Sequence, residues 1–332
     1  MAKIIGIGNA LVDILVHLDD EKILGELNLA KGGMTLIDES ALAHISDMFA
    51  RMHTQRATGG SASNTIHALT ALGSTTGFVG SVGDDEHGRF YAQQMQARGT
   101  VAQLTVQPHL GTGVASTFIT PDGERTFATY LGAAAHLQAD ELRQLLASQP
   151  DAAILHVEGY LVQDHDLILD ILRTAKEAGL RVSYDLASWN IVRDDCDFIH
   201  RIVRDYVDIV FANEEEATAF CGESDPNISL QHLSEVAEIA VVKVGKRGAQ
   251  AQQAFPDHFE YAFAPGLPRK AIDTTAAGDF FAAGFLHGLV NGNDLRTCLH
   301  YGNCTAAEVV QVMGTQVPTE RLRESIRTPL PM

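Results

Sequence analysis

Cysteine and long apolar runs are both scarce in this chain. It has four cysteines, with no Cys-x-x-Cys pair and no histidines clustered at metal-ligand spacing. That scarcity argues against a disulfide framework and against a zinc site, and it is typical of free thiols in a reducing compartment. No apolar stretch is long enough to cross a membrane, and the chain enters its first strand pattern at Ile4 without the apolar core of a signal peptide. We therefore expect a cytoplasmic protein.

Basic residues are also few. Lysine and arginine total 24 against 42 aspartates and glutamates, which gives a formal net charge of −18. Such a charge argues against nucleic acid or an anionic membrane surface as a main partner. An acidic protein that binds a phosphorylated ligand needs local positive features, such as helix ends, a few basic side chains or a metal ion. We therefore expect neither nucleic acid nor a membrane as a partner.

Short β-rich apolar runs alternate with helix-period segments along the chain. Its 332 residues, 45% of them hydrophobic, suit one α/β domain with a lid or with unequal lobes. The alternation predicts a doubly wound, mainly parallel sheet flanked by helices, whose ligand lies at the carboxyl ends of the strands. The expected strands are Ile4–Gly8, Thr76–Gly80, Ala153–Val157, Arg181–Asp185, Ile209–Ala212 and Ile239–Val244. The expected helices are Glu39–Met52, Ser63–Leu72, His87–Arg98, Asp164–Ala178 and Glu214–Phe220.

One segment interrupts this alternation. Val114–Thr120 alternates as a half-buried strand, a Pro-Asp-Gly turn follows, and Arg125–Tyr130 returns as a second strand. A hairpin inserted in an α/β chain predicts a small β lid, to which Asp19–Asp38 is a further candidate contributor. We therefore expect a single domain over residues 1–332, with a lid formed by residues about 12–38 and 112–131.

The most informative stretch is Asp273-Thr-Thr-Ala-Ala-Gly-Asp279, which is followed by an apolar run. The small residues Ala276, Ala277 and Gly278 let backbone come close to a ligand at the start of a helix. The free N–H groups and the dipole of a helix N-terminus suit a phosphate or a developing anion. Asp279, in such a site, is well placed to act as a general base on an alcohol. The alternative is a capped helix whose aspartate favours the first turn.

Two further loops follow early strands. Gly6-Ile-Gly8 lacks the third glycine of a dinucleotide fingerprint, so we reject an oxidoreductase of that kind. Asp13 then lies just past the strand end, either as an acceptor for substrate hydroxyls or as a local turn residue. In the loop Thr58-Gly-Gly-Ser-Ala-Ser-Asn64, the glycines permit close approach of a ligand. Ser61 and Ser63 are plausible N-caps there, and Asn64 offers its amide to a sugar.

Two later loops suit a metal and a nucleotide. Asn213-Glu-Glu-Glu216 follows a strand, and its carboxylates suit either a helix cap or Mg²⁺ held through water. Val242-Lys-Val-Gly-Lys-Arg-Gly248 brings two glycines and three cations to the end of another strand. In a chain this acidic, that cluster suits the phosphates of a nucleotide, although a basic turn is the alternative. No Gly-Lys-Ser/Thr occurs, so a Walker-type loop is excluded.

Together these residues resemble the ribokinase-like, or PfkB, carbohydrate kinase family over nearly the whole chain. The motifs that carry the resemblance are Gly59-Gly60 with Asn64, Gly83-Asp-Asp-Glu-His-Gly88, Asn213-x-x-Glu216, Gly245-x-x-Gly248 and Asp273-Thr-Thr-Ala-Ala-Gly-Asp279. The family commonly has Gly at the position of Ala276, where ribokinases themselves carry Ala. The resemblance implies a ribokinase-like fold and ATP-dependent phosphorylation of a hydroxymethyl group.

The resemblance also implies a role for each matched residue. Asp279 would be the base, with the backbone N–H groups of Ala276, Ala277 and Gly278 as the anion hole. Asp13, Gly60 and Asn64 would hold the sugar, and Arg125 would approach from the lid. The implied nucleotide-binding residues are Asn213, Lys243, Gly245, Gly248 and Thr274. Glu216 would organise Mg²⁺ through water, and backbone carbonyls around Asp273 and Thr275 would bind a monovalent cation such as K⁺.

The N-terminal third resembles the adenosine kinase branch more than ribokinase itself. A nucleoside needs an apolar slot for its base, and Met34, Phe118, Tyr160 and Trp189 are candidates, with core packing as the alternative. Asn190, beside Trp189, does not fit that slot. We expect a ribofuranosyl nucleoside such as adenosine as the substrate. Ribose, fructose or 2-keto-3-deoxygluconate is the alternative, and a non-catalytic sugar or nucleotide sensor is a remote one. We expect a monomer or a homodimer.

Overall fold

Two β-sheets and the helices around them account for most of this chain. The computed structural model describes residues 3–330. The larger sheet is built from strands β1 (Lys3–Ile7), β5 (Thr76–Gly83), β6 (Val101–Gln107), β9 (Ala152–Glu158), β10 (Arg181–Asp185), β11 (Ile209–Asn213), β12 (Ile239–Lys243), β13 (Gly248–Ala254) and β14 (Phe259–Pro265). The smaller sheet is built from β2 (Leu11–His17), β3 (Met34–Leu36), β4 (Thr54–Gly59), β7 (Gly113–Ile119) and β8 (Arg125–Tyr130).

The helices lie between these strands and pack on both faces of the larger sheet. They are α1 (Lys22–Glu26), α2 (Glu39–Phe49), α3 (Ser61–Leu72), α4 (Glu86–Arg98), α5 (Ala139–Ser148), α6 (His165–Glu177), α7 (Trp189–Asp194), α8 (Cys196–Tyr206), α9 (Glu214–Cys221), α10 (Pro226–Ser234), α11 (Ala277–Val290), α12 (Leu295–Val309) and α13 (Thr319–Ser325). Short 3₁₀ turns span Gly132–His136, Gly159–Gln163 and Gly245–Arg247.

The larger sheet has the order β14-β13-β12-β11-β10-β9-β1-β5-β6. All its pairs are parallel except β12–β13 and β13–β14, which form an antiparallel edge. Its central strands are nearly continuous apolar runs because helices cover both faces. One face packs against α3, α11 and α12 through side chains such as Phe211 and Phe280, and the other packs through side chains such as Val210 and Ile202. The predicted doubly wound, mainly parallel sheet is confirmed.

The smaller sheet has the order β3-β8-β7-β2-β4. Its pairs β2–β4 and β7–β8 are antiparallel, and β2–β7 and β3–β8 are parallel. The predicted hairpin forms its centre. Residues 19–38 contribute only α1 and the short β3, and β4 was not anticipated, because Thr-Gln-Arg-Ala-Thr-Gly lacks the apolar alternation of a typical strand.

Five neighbouring strands of the larger sheet each end in a polar side chain at the same edge. In sheet order these residues are Lys243, Asn213, Asp185, Glu158 and, two residues after β1, Asn9. Parallel strands bring their carboxyl ends together, so residues far apart in sequence meet along one line. The smaller sheet faces this line across a cleft.

Two broader expectations can be compared with the fold. Across residues 3–330, no helix combines the length and the apolar character needed to cross a membrane. The four cysteines are free, with Cys298 and Cys304 buried and Cys196 and Cys221 half-buried.

Candidate active site

A cleft of about 1280 Å³ lies between the carboxyl edge of the larger sheet and the smaller sheet. The predicted catalytic, substrate-binding, nucleotide-binding and metal residues converge on it, and all of them line it except Asp273, which is buried directly behind. They come from six different segments of the chain. Their positions along the sequence do not show that they lie close together. The sheet topology brings them to one place.

The loop before α11 forms one wall of the cleft. Ala276 has a φ of 59°, a left-handed conformation that is uncommon for a residue with a side chain, and it turns the backbone directly into the helix. The N–H of Ala277 donates to the carbonyl of Thr274 at 3.2 Å. The N–H groups of Ala276 and Gly278 donate to no acceptor among the described residues. This helix start therefore offers open donors to an anion, as such termini do.

Asp279, in the first turn of α11, faces the start of α3. Its Oδ1 accepts from the Ser61 hydroxyl at 2.7 Å and its Oδ2 accepts from the Asn64 amide at 2.9 Å. Burial raises the pKa of Asp279 to about 6, although these two hydrogen bonds oppose the rise. The prediction that Ser61 or Ser63 caps α3 is wrong, since the N-cap is Gly60 and Ser63 Oγ lies 4.0 Å from the sulfur of Met95.

Asp13 projects from β2 into the same part of the cleft. Among the described residues its carboxylate accepts no hydrogen bond, so both oxygens stay available to a ligand. Burial, together with the nearby charge of Asp279, raises the pKa of Asp13 to about 7. On the neighbouring strand β4, Gly59 leaves room for this carboxylate, because a Cβ there would lie 2.0 Å from Asp13 Oδ1. Gly60, with a φ of 91°, packs equally closely on the carbonyl of Asn9.

Arg125, on β8, reaches across the cleft towards the loop before α11. Its Nε lies 4.0 Å from Asp273 Oδ1 and has no hydrogen-bond acceptor among the described residues, although it is buried. Asp273 in turn accepts from the N–H of Thr275 at 2.8 Å and from the N–H of Gly314 at 2.8 Å. Asp273 therefore fixes the loop that carries the open N–H groups, and its side chain is fully engaged.

Asn213 and Glu216 form a capping box at the start of α9. The N–H and the amide of Asn213 both donate to the Glu216 carboxylate at 2.7 Å, and Asn213 Oδ1 accepts from the Glu216 N–H at 2.8 Å. Burial raises the pKa of Glu216 to about 7, with Lys243 opposing that shift and Asp185 adding to it. The helix-cap interpretation thus describes the contacts of Glu216. A carboxylate has further lone pairs, so water can still bind to it.

Lys243 ends β12 beside the start of α11. Its Nζ donates to Asp185 Oδ2 at 2.9 Å, and both side chains are largely buried. Burial disfavours the charge of Lys243, but the carboxylates of Asp185, Glu216 and Asp279 outweigh burial and raise its pKa. Sequence reasoning missed Asp185, because one aspartate at the end of a strand looks like ordinary turn chemistry.

Glu158, at the end of β9, was also missed. Its Oε1 accepts from the N–H and the amide of Asn9 at 2.8 and 2.6 Å, and its Oε2 accepts from the N–H of Ala62 at 3.0 Å. It thus caps α3 from 96 residues away, which Gly60 cannot do for want of a side chain. Burial raises the pKa of Glu158 to about 7. The only sequence signal was its place at the end of an apolar strand.

The opposite end of the cleft is built from loops and from α12. Gly245 has a φ of 56° and open space around it, whereas a Cβ on Gly248 would lie 2.1 Å from the carbonyl of Ala264. The amide of Asn303 holds the same carbonyl at 2.9 Å. Lys246, one of the three cations predicted near the phosphates, also lines this end, together with Leu267, Ala271, Ala306, Ala307 and Val310, which the sequence did not single out. Leu267, Ala271, Ala306, Ala307 and Val310 give this end an apolar surface, with Lys246, Arg269 and Lys270 beside it.

The apolar residues near Asp13 differ partly from those predicted. Met34, Tyr160 and Trp189 line the cleft, but Phe118 does not. Phe118 lies three positions after Ala115 on β7, and successive side chains of a strand point to opposite faces of the sheet. It therefore points to the outer face of the smaller sheet, away from Asp13 and Ala115, and packs on Phe49. Leu11, Ala115 and Leu131 take its place on the cleft side, where they form a cluster with Ala134.

A cleft at the carboxyl edge of a parallel sheet, with an open helix N-terminus and a nearby carboxylate, is the arrangement of a small-molecule phosphotransferase. The chain belongs to the pfkB family of carbohydrate kinases, whose family model matches residues 27–322. The resemblance seen in the sequence is therefore confirmed, and the family implies the use of ATP.

Relatives of two substrate classes match this chain along most of its length. An adenosine kinase from Saccharomyces cerevisiae is 26% identical over 98% of this chain and 99% of its own. A 5-dehydro-2-deoxygluconokinase from Bacillus licheniformis is 28% identical over 86% of this chain and 90% of its own. These relatives establish a carbohydrate or nucleoside kinase but do not determine which substrate it phosphorylates.

Solved structures of two bacterial proteins match the whole fold. A probable sugar kinase from Rhizobium etli CFN 42 superimposes with a TM-score of 0.89 at 30% identity, covering 98% of both chains. An adenosine kinase from Sinorhizobium meliloti superimposes with a TM-score of 0.88 at 30% identity, again covering 98% of both. The second similarity supports the adenosine kinase-like branch predicted from the N-terminal third.

Proposed function

We propose that this kinase transfers the γ-phosphoryl group of ATP to the 5′-hydroxyl of a ribofuranosyl nucleoside, with adenosine the first candidate. The observation that carries this proposal is the character of the smaller sheet where it lines the cleft. Beside Asp13 that sheet presents Leu11, Met34, Ala115 and Phe127, and Leu131 directly follows it. A purine base gains free energy from such a surface, whereas a free sugar leaves it unfilled.

Charge in the same region also favours an uncharged substrate. Arg125 is the only basic side chain that the described strands of the smaller sheet place in the cleft. Its charge already faces the carboxylates of Asp273 and Asp279. A sugar acid would bring a further carboxylate next to Asp13 and Asp279, which costs free energy unless a free cation meets it.

In the proposed reaction, Asp279 accepts the proton of the substrate hydroxyl as the oxygen attacks the γ-phosphorus. A pKa of about 6 leaves Asp279 mostly ionised at neutral pH yet basic enough to take part in proton transfer. Asp13, Asn64 and the backbone at Gly60 would hold the ribose hydroxyls. The open N–H groups of Ala276 and Gly278 would stabilise the charge on the transferred group, and that of Ala277 would join them on releasing Thr274.

Mg²⁺ fits the acidic end of β11 through water. Glu216 keeps acceptor capacity beyond its capping box, and a nearby cation would favour its ionised form, which burial otherwise disfavours. The residues between 3 and 330 hold no cluster of three or more metal-ligating side chains, as expected for an ion held mainly by waters and phosphates. When bound, Mg²⁺ would neutralise the phosphates of ATP.

The remaining contacts proposed for ATP lie at the opposite end of the cleft. Asn213, Lys243 and Thr274 would face the phosphates, while Gly245 and Gly248 let the backbone approach the nucleotide. The apolar surface near Ala306 and Val310 would take the adenine. We further propose that the carbonyls of Asp273 and Thr275 bind a K⁺ ion and that the smaller sheet acts as a lid. We also propose a cytoplasmic location and a role in purine salvage.

The second candidate is a sugar-acid kinase, which the 5-dehydro-2-deoxygluconokinase relatives favour. An ADP-release assay on adenosine, guanosine, ribose, fructose, 2-keto-3-deoxygluconate and 5-dehydro-2-deoxygluconate separates the candidates. We expect the highest kcat/KM with adenosine. A higher value with any free sugar or sugar acid would overturn the nucleoside proposal and leave the kinase assignment intact.

A further inference from the structure

Lys243 lies at the reacting end of the cleft. A Cβ added to Gly278 would come 3.1 Å from Lys243 Nζ, so the ammonium touches the helix start where the open N–H groups gather. Its charge also acts directly on Asp279. A cation at this point would face a phosphoryl group held by those N–H groups.

Asp185 holds Lys243 in that position. Its Oδ2 accepts from Lys243 Nζ at 2.9 Å, while its Oδ1 accepts from the N–H of Ala187 at 2.9 Å and so fixes the carboxylate itself. Asp185 is 5% exposed, and the Lys243 side chain is 14% exposed. A buried ion pair adds little to the free energy of unfolding, because the cost of desolvation offsets much of the attraction between the charges. Its fixed position therefore indicates a role other than stability.

Lys246, in the same loop, differs from Lys243 in its surroundings. Lys246, three residues further along, is exposed and makes no ion pair among the described residues, although it also lines the cleft. A flexible, solvated lysine suits the outer phosphates of a bound nucleotide in its ground state. Lys243 is instead fixed before any ligand arrives, which is the condition for effective stabilisation of a transition state.

We propose that Lys243 is a catalytic residue that neutralises the transferring phosphoryl group, and that Asp185 is the positioning residue that fixes it there. The proposal rests on the proposed roles of Asp279 and the start of α11. In the step, the substrate oxygen bonds to the γ-phosphorus and its proton passes to Asp279. The bond between that phosphorus and the bridging oxygen breaks, and its electron pair leaves with ADP. Lys243 donates to the oxygens of the group in flight and gives up no proton.

The kinetic test compares Lys243→Met with Lys246→Met, using the best acceptor found for the wild type. We expect Lys243→Met to lower kcat roughly 10²–10³-fold, the usual effect of losing one donor to a developing anion, while the KM for ATP changes little. Lys246→Met should raise the KM for ATP and keep kcat. Lys243→Arg should recover part of the rate, and Asp185→Asn should lower kcat without removing the cation.

A binding test needs no acceptor substrate. Wild type should bind ADP with Mg²⁺ and aluminium fluoride, a mimic of the transferring phosphoryl group, far more tightly than ADP with Mg²⁺ alone. Lys243→Met should lose that gain and keep the affinity for ADP. Because Lys243→Met leaves Asp185 unpaired, the double variant Asp185→Asn/Lys243→Met is measured beside it. Lys176→Met, which breaks a remote pair with Asp208, shows the effect of losing an ion pair alone.

The outcomes separate this proposal from the choice of substrate. Loss of the aluminium fluoride gain in Lys243→Met and in the double variant supports the proposal, even if adenosine proves a poor acceptor. An unchanged gain, or a loss matched by weaker binding of ADP alone, overturns it and leaves Lys243 as a ground-state nucleotide contact. Full activity in Asp185→Asn would overturn the positioning role.

Discussion

The two walls of the cleft are built in opposite ways. The wall from the larger sheet carries charged and polar side chains that are fixed by one another, such as Asp279 with Ser61 and Asn64, or Lys243 with Asp185. The wall from the smaller sheet is mostly apolar. The charged side chains that its strands place in the cleft, Asp13 and Arg125, make no side-chain hydrogen bond with any described residue. Fixed charges suit chemistry, whereas open groups on an apolar surface suit selection of a ligand.

This difference predicts a division of kinetic effects. Variants in the wall of the larger sheet should change kcat, because preorganised charges act in the transition state. Variants in the wall of the smaller sheet should change the choice of substrate and the closing of the cleft.

The largest effect is expected at Asp279. Asp279→Asn keeps the shape of the side chain and its contact with Ser61 but removes the base. We predict that kcat falls by roughly 10²–10⁴, the usual range for loss of a general base, while the affinity for ATP barely changes. Steady-state kinetics and nucleotide titration check this. Near-normal turnover would show that Asp279 is not the base, and it would contradict the proposed contrast between the two walls.

Glu216→Gln tests whether the capping box also serves the metal. The variant keeps one acceptor oxygen for Asn213 and loses the charge that would organise waters of Mg²⁺. We predict that the Mg²⁺ concentration for half-maximal rate rises by about tenfold, at the low end of effects from groups that support a metal. A Mg²⁺ titration at fixed ATP measures this. If the titration curve does not move, Glu216 is a helix cap and nothing more.

Ser61→Ala tests the tuning of the base. The hydroxyl of Ser61 favours the ionised form of Asp279, so its removal should raise the pKa of that carboxyl. In wild type, kcat/KM should fall as the pH drops below about 6, because Asp279 becomes protonated. In Ser61→Ala that fall should begin at a higher pH. Thr65→Val is the matched control, since Thr65 donates to the backbone carbonyl of Asp279 and not to its carboxylate.

The smallest effect concerns motion of the smaller sheet. Arg125 Nε is buried without an acceptor at 4.0 Å from Asp273, so a short closing movement would complete the pair. We predict slower hydrogen exchange in residues 113–130 when adenosine and a non-hydrolysable ATP analogue bind together. Helix α5 (residues 139–148), none of which lines the cleft, serves as a reference within the same sample. Equal exchange in residues 113–130 with and without ligands would make the smaller sheet a static wall.

The sequence predicted the larger sheet better than the smaller one for a physical reason. Strands buried on both faces, such as Ile209–Asn213, are continuous apolar runs that stand out from their surroundings. The heptapeptide before α11 stood out because small residues, an acid and an apolar helix follow one another. In contrast, Thr54–Gly59 is polar and half-exposed, and only its pairing with β2 makes it a strand.

The site was partly predictable for related reasons. Asp13, Asn64 and Asp279 lie in loops with unusual composition, so they could be singled out. Glu158 and Asp185 could not, because each is one acid at the end of a strand, and its partners are 96 and 58 residues away. Phe118 was placed on the wrong side because an aromatic residue in a strand reveals its face only once the register is known.

The most direct measurement of the central claim is the ratio of kcat/KM for adenosine to kcat/KM for ribose. It is compared between wild type and Leu131→Ala, which removes apolar surface from the wall facing the base. Leu36→Ala is the control, because Leu36 lies on the smaller sheet but outside the cleft. We predict a wild-type ratio of roughly 10–100, as burial of a base worth about 1.5–3 kcal/mol would give, and a lower ratio only in Leu131→Ala. A wild-type ratio below one, or equal ratios in all three proteins, would contradict the account.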